Sequence, residues 1–198
     1  MTMIVDGTGK GYQGKIDGRN QLWVRSVSVP EAEQALIDGK FYNFNTGNVT
    51  LTTANESALM YLKNNSETDL IITRLAISTN ASTGGTSDRP SLSVLRNPTS
   101  GTIIDNALAP LDNCNTNFGS ANVFDGQVYK GAEGYTLTGE DQGCLFIYCT
   151  NGGDRLITFD IEIPKAQSIG FMYTPSPSNT SQKLYLAVNA HYRDDTAE

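Results

Sequence analysis

One histidine, His191, stands in 198 residues. That scarcity narrows acid–base chemistry, for which imidazole is the usual carrier near neutral pH. Charge is also sparse, at 18% of residues, and the net charge of −7 works against a general nucleic-acid binder, which needs a positive surface to displace counterions. No stretch approaches 18 consecutive apolar residues, so no membrane-spanning helix is expected. No heptad pattern persists, which excludes a coiled coil. The amino terminus has no basic segment followed by an apolar one, so no secretory signal is expected. The three cysteines, Cys114, Cys144 and Cys149, show no CxxC spacing and are odd in number. Neither a zinc site nor a disulfide framework is expected; small buried or half-buried thiols are.

Other catalytic and binding patterns are missing too. There is no Gly-x-Ser-x-Gly elbow for a serine hydrolase. Gly7-Thr8-Gly9-Lys10-Gly11 lacks the spacing of a phosphate loop and reads as a hinge. Asp112 to Asn117 carries oxygen donors, but Cys114 takes a ligand position and no acid closes the loop. A loose cation site at strand ends stays open, yet no metal or cofactor is expected. Glu140-Asp141 and Asp194-Asp195 are adjacent pairs, which rarely converge on one bond. His191 falls on the polar side of the last strand and is expected to be half-exposed. Nothing here points to an enzyme.

What is present is period two. Ile157, Phe159, Ile161 and Ile163 alternate with Thr158, Asp160 and Glu162. Leu184, Leu186, Val188 and Ala190 alternate with Lys183, Tyr185, Asn189 and His191. Ile71, Thr73, Leu75 and Ile77 are expected to share one face, and Leu59, Tyr61, Leu70 and Ile72 to lie on outer faces. Further runs follow at 41–52, 58–64, 91–95, 144–149 and 169–173, each bounded by Asn, Gly, Pro or Ser clusters. About eight strands result, with no helix long enough for a parallel crossover. Strands with one apolar face need a second sheet to cover it. The fold class is therefore all-β: an antiparallel two-sheet, jelly-roll-like sandwich with an extended N-terminal arm and one short helix. An immunoglobulin-like sandwich is the competitor, but its Cys–Trp–Cys pattern is missing. The long polar stretches 79–90 and 107–143 read as loops of functional or contact type.

The domain boundaries follow from composition. Residues 1–40 form an arm with a short helix at 29–38, and residues 41–198 form the sandwich. Ser28 and Glu31 can make a capping box, with Pro30 tolerated in the first turn and Gly39 ending the helix. Ala32, Ala35, Leu36 and Ile37 give it an apolar side. Residues 1–27 hold a net +2, leaving −9 on the remainder. Lys10, Lys15, Arg19 and Arg25, with Tyr12, Trp23 and Val24, are the candidate partner-binding residues, because a basic arm with few large anchors fits a docked segment. Extended, 27–40 residues reach at most roughly 90–130 Å.

Several segments resemble virion structural proteins of tailed bacteriophages, particularly marine and cyanobacterial phages. They are Tyr42 to Thr52, Asn55 to Asn65, Ile72-Thr73-Arg74, Arg96 to Ile103, Asn117-Phe118-Gly119-Ser120, Tyr129 to Gly134, Thr174-Pro175 and Asn179 to Gln182, with Val5 to Gly9 in the arm. The resemblance covers nearly the whole chain. It implies a head decoration, cement or head-fibre-like protein on the outer capsid surface of the virion, made in the host cytoplasm. Its implied partner is the major capsid protein, bound through the arm, and its implied state is a homotrimer. Apolar outer faces also point to an oligomer. No nucleic acid and no membrane partner is expected. The alternative is a fibre-like or lectin-like domain in which loops 79–90 and 107–143 bind host-surface glycans.

Overall fold

A computed structural model of the chain describes residues 15–16, 22–23, 30–80, 89–105, 113–139, 142–149, 152–177 and 181–193. The chain divides into two compact units, Met1–Pro30 and Glu31–Glu198. In the first, strands β1 (Lys15–Ile16) and β2 (Leu22–Trp23) pair antiparallel, with Lys15 opposite Trp23. A minimal ladder thus stands where the sequence shows no periodic pattern.

The second unit opens with α1 (Glu31–Ile37). Ser28, its expected cap, lies outside the described residues. Only Ala35 is buried; Leu36 and Ile37 are exposed, contrary to the apolar side read from sequence. The helix has fewer than two turns, and one side cannot hold four residues.

Eleven strands follow: β3 (Phe41–Asn45), β4 (Val49–Leu51), β5 (Ser57–Asn64), β6 (Leu70–Thr79), β7 (Ser91–Arg96), β8 (Asn113–Asn115), β9 (Gly126–Lys130), β10 (Gln142–Tyr148), β11 (Gly153–Ile163), β12 (Ser168–Thr174) and β13 (Gln182–Tyr192). A four-residue helix, α2 (Thr102–Asp105), precedes β8. One sheet has the order β10-β7-β12-β5-β9 and the other β11-β6-β13-β3-β8, with β4 also on β13. Every pairing is antiparallel. Leave out β4, β8 and β9 and eight remain. They pair first with last (β3·β13), second with seventh (β5·β12), third with sixth (β6·β11) and fourth with fifth (β7·β10). That is one long hairpin, rolled so that β13 also meets β6 and β12 also meets β7. The strand order is that of a jelly roll.

The core between the sheets holds Phe44, Leu51, Leu59, Met60, Leu62, Leu70, Ile72, Leu75, Ile77, Phe171 and Leu186 among others. Strands β11 and β13 alternate as their sequences dictate. Strand β6 does not. Arg74 pairs with Asn189 and Ile72 with Ala190, so Thr73 is an extra residue on its strand. This bulge switches the buried row from Leu75 and Ile77 to Ile72 and Leu70, and it removes Ile71 and Thr73 from the core face. Strand β5 has a similar shift, where Phe171 pairs with Met60 and Met172 with Ala58. Leu59, Leu70 and Ile72 are therefore core residues, and Tyr61 is buried in a second cluster with Ala58, Leu95, Ile103, Leu137 and Met172. The case for an oligomer built on those four residues as outer-face groups does not stand.

The stretch 107–143, expected as loop, contains β8 and β9. They extend opposite sheets on the same side of the sandwich, beside β3 and β5. Between them Phe124 packs edge-on to Phe44 (4.9 Å) and Tyr42 (5.6 Å) and is stacked with Tyr192 at 5.9 Å. One insertion thus closes one flank of the core.

Candidate functional site

The seven residues of the arm singled out above fall mostly outside the described residues. Lys10, Tyr12, Arg19, Val24 and Arg25 do so entirely; Lys15 and Trp23 are described only as backbone partners in the β1–β2 ladder. Glu140-Asp141, Asp194-Asp195 and the start of the candidate cation loop, Asp112, are likewise outside.

The rest of that polar loop has a use within the fold. The Asn117 amide donates to the carbonyls of Leu36 and Ile37, both at 3.1 Å. Asn122 Nδ2 donates to Asp38 O at 3.0 Å, and Asn115 Nδ2 to Gly39 O at 2.7 Å. Three side chains thereby supply donors to the carbonyls at the end of α1, where Leu36 O also accepts from Gly39 N at 3.2 Å. Two of their oxygens are engaged as well: Asn115 Oδ1 accepts from Asn117 N and Asn117 Oδ1 from Gly119 N, both at 3.0 Å. Oxygens so used form turns rather than a cation site. Among the described residues no cluster of three or more metal-ligating acids, histidines or cysteines occurs.

Glu133 does comparable work at β4. Its carboxylate accepts from Thr52 N (2.6 Å), Thr53 N (2.7 Å) and the Thr52 hydroxyl (2.9 Å). Partial burial pushes its pKa up, but these bonds from Thr52 and Thr53 outweigh it and hold the carboxyl below the usual glutamate value.

Two carboxylates do converge, Asp69 and Glu162, but Arg193 stands between them. Its Nη2 lies 2.6 Å from Glu162 and its Nη1 3.5 Å from Asp69. Hydrogen bonding to Arg193 lowers the Glu162 pKa, the opposite of what a proton-donating carboxyl needs. His191 is 3% exposed rather than half-exposed. Its ring stacks on Phe41 at 5.8 Å, at the end of the sheet where α1 packs on β3 and β13. A helix laid over the outer row buries a residue that alternation alone would leave in water. Cys149 is buried, and burial raises its pKa to about 11; Cys114 is exposed, against the expectation of a half-buried thiol.

The open flank carries the exposed apolar groups that sequence reading passed over. Among the described residues, strands β10 and β11 are the outer strands here. Ile157, Phe159 and Ile161 face the core yet are only partly buried. Leu145, in register with the core residue Val94, is 36% exposed. On the outer side Phe146 and Tyr148 are 56% and 55% exposed, with their rings edge-to-face at 5.1 Å. A cavity of 520 Å³ opens on this flank between Arg96, Asn97, Ile161, Glu162, Ile163, Gln167 and Ile169. The signal in the sequence is the strand expected at 144–149, which has no charged residue.

No family model matches the chain, and no curated protein matches it. Solved structures do. One is of infectious bursal disease virus, 16% identical over 79% of this chain and 32% of that one, with a TM-score of 0.31. A second is the CBM22-1-GH10 modules of a Clostridium thermocellum endo-1,4-beta-D-xylanase, 6% identical over 81% of this chain and 27% of that one, TM-score 0.30. A third is the capsid asymmetric unit of cyanophage Pam1, 11% identical over 78% and 84%, TM-score 0.26. The chain spans about a third of the length of the first and about a quarter of the second. Likenesses this faint decide neither fold nor role, and the jelly roll stands on this chain's own strand order.

Proposed function

We propose that the chain is a virion structural protein that decorates or cements the outer surface of a phage capsid, held to the major capsid protein by its N-terminal arm. The observation that carries this is the division of the chain into a jelly roll that closes by its own strand pairing and a separate N-terminal unit of opposite charge. The sequence resemblance to tailed-phage virion proteins supports the same reading. An arm that orders on binding spends part of its interaction energy on that ordering, and several copies on one shell offset the cost through multivalency. Lys10, Lys15, Arg19 and Arg25 would meet acidic shell surface, and Tyr12, Trp23 and Val24 would fill apolar pockets. Glycan binding is placed second, because the described amides of the 113–122 loop donate within the fold.

The test is co-sedimentation with undecorated heads, full-length chain beside one lacking residues 1–27. Binding that disappears with the arm supports the proposal. A body that ignores heads with or without the arm overturns it and directs the search to glycan arrays.

A further inference from the structure

The two outer strands of the open flank differ in how they treat a visitor. The outward row of β11 holds Asp154, Asp160 and Glu162. Antiparallel pairing of that strand with itself would set carboxylates against carboxylates, which is the usual protection of a free strand edge. Strand β10 carries no such guard of its own: Gln142–Tyr148 contains no charge and no proline, and the Arg155 guanidinium reaches its outer main chain only at the end, on the Tyr148 carbonyl. Among the described residues no strand pairs its outer side.

The backbone of β10 is oriented for pairing. Cys149 N donates to Pro90 O at 2.7 Å, so the odd-numbered residues turn their N–H and C=O groups toward β7. Alternation then turns those of Phe146 and Tyr148 outward. The Tyr148 carbonyl already accepts from the Arg155 guanidinium, which marks it as pointing away from β7. Beside this row stand the exposed Phe146 and Tyr148 rings and the uncovered Leu145. The sandwich-bearing part of the chain carries a net −9, so a second copy is repelled by most approaches and least by this uncharged strip.

We propose that β10 pairs antiparallel with β10 of a second copy of this chain about a two-fold axis, joining two five-stranded sheets into one of ten strands. With Ile147 at the axis, Phe146 of each copy stands opposite Tyr148 of the other. Both are residues whose main-chain groups face outward, so the pair exchanges hydrogen bonds as well as ring contact once the Arg155 guanidinium gives up the Tyr148 carbonyl.

Light scattering of the full chain from about 10 to 200 µM tests this. The expected mass is twice 21.4 kDa at the upper end. Phe146→Lys puts two cations at the axis and should weaken association at least tenfold, with an unchanged far-ultraviolet spectrum. Val123→Lys, at an exposed apolar position on the opposite flank, should leave association alone. If Phe146→Lys fails to fold, Tyr148→Lys takes its place. Amide exchange gives a second readout: the N–H groups of Phe146 and Tyr148 should slow as concentration rises, while those of Ile147 and Cys149 are protected throughout. A mass of one chain at every concentration overturns the proposal, as does a trimer, or an assembly indifferent to Phe146→Lys. Head binding by the arm is untouched by any of these outcomes, so this proposal and the proposed function fail separately.

Discussion

Asn117 donates both amide hydrogens across 80 and 81 residues of sequence, to the carbonyls of Ile37 and Leu36. A side chain from the longest insertion thereby completes the end of the first helix. The polar loop is a structural part, and its asparagines are chosen for reach and for two donors on one nitrogen.

Asn117→Ala should therefore cost about 1–2 kcal/mol, since it takes the side-chain donor from Ile37 O, leaves Leu36 O to Gly39 N alone and removes an Asx turn. Urea unfolding measures the loss. Amide exchange should quicken at Asp38 and Lys40, whose N–H groups close the turn after α1 on Gln34 and Ala35.

Gly131 lies where a Cβ would come within 1.8 Å of the Ala58 carbonyl oxygen and 2.6 Å of its carbon. Both are backbone atoms of a central strand and cannot yield. Gly131→Ala should cost about 3 kcal/mol or more, by displacing the segment that follows β9. Gly134, three residues on, has φ +75 and open space around it. Gly134→Ala should cost only about 1 kcal/mol, from backbone strain alone. Thermal melts of the two variants side by side separate crowding from conformation.

Glu133 makes stability depend on acid. Its folded pKa is lowered by the bonds from Thr52 and Thr53, so the unfolded chain binds its proton more readily. The stabilisation is complete above the ordinary glutamate value of about 4.3 and is lost as pH falls through the lower folded value. Wild type should lose stability relative to Glu133→Gln between neutral pH and pH 3. Denaturant midpoints across that range would refute this if the two curves run parallel.

The described thiols should divide under alkylation. Cys114 is exposed and should react in the native protein at pH 8. Cys149 is buried with its pKa raised to about 11, so it should react only after denaturant opens the core. Peptide mapping after iodoacetamide treatment reads both. Fast native labelling of Cys149 would contradict its place between the sheets.

Local pattern determined the long strands of the sandwich, but not β8 and β9. Ile157 to Ile163 and Leu184 to Ala190 alternate so cleanly that face, sheet class and need for a second sheet follow from the chain alone, because strand side chains repeat every two residues. Tertiary structure decided what period two cannot carry. The bulge at Thr73 depends on pairing with Asn189, more than a hundred residues away, and one extra residue exchanges the two faces of β6. His191 reads as an outward polar residue until α1 and Phe41 cover its end of the sheet. Asn115, Asn117 and Asn122 look like a binding surface until the carbonyls of α1 arrive to use them. The uncharged run 144–149 is legible as a strand in sequence, but only strand order makes β10 an outer one. In each case the deciding partner is remote along the chain, and a linear pattern records a residue's own preference, not what will be laid beside it.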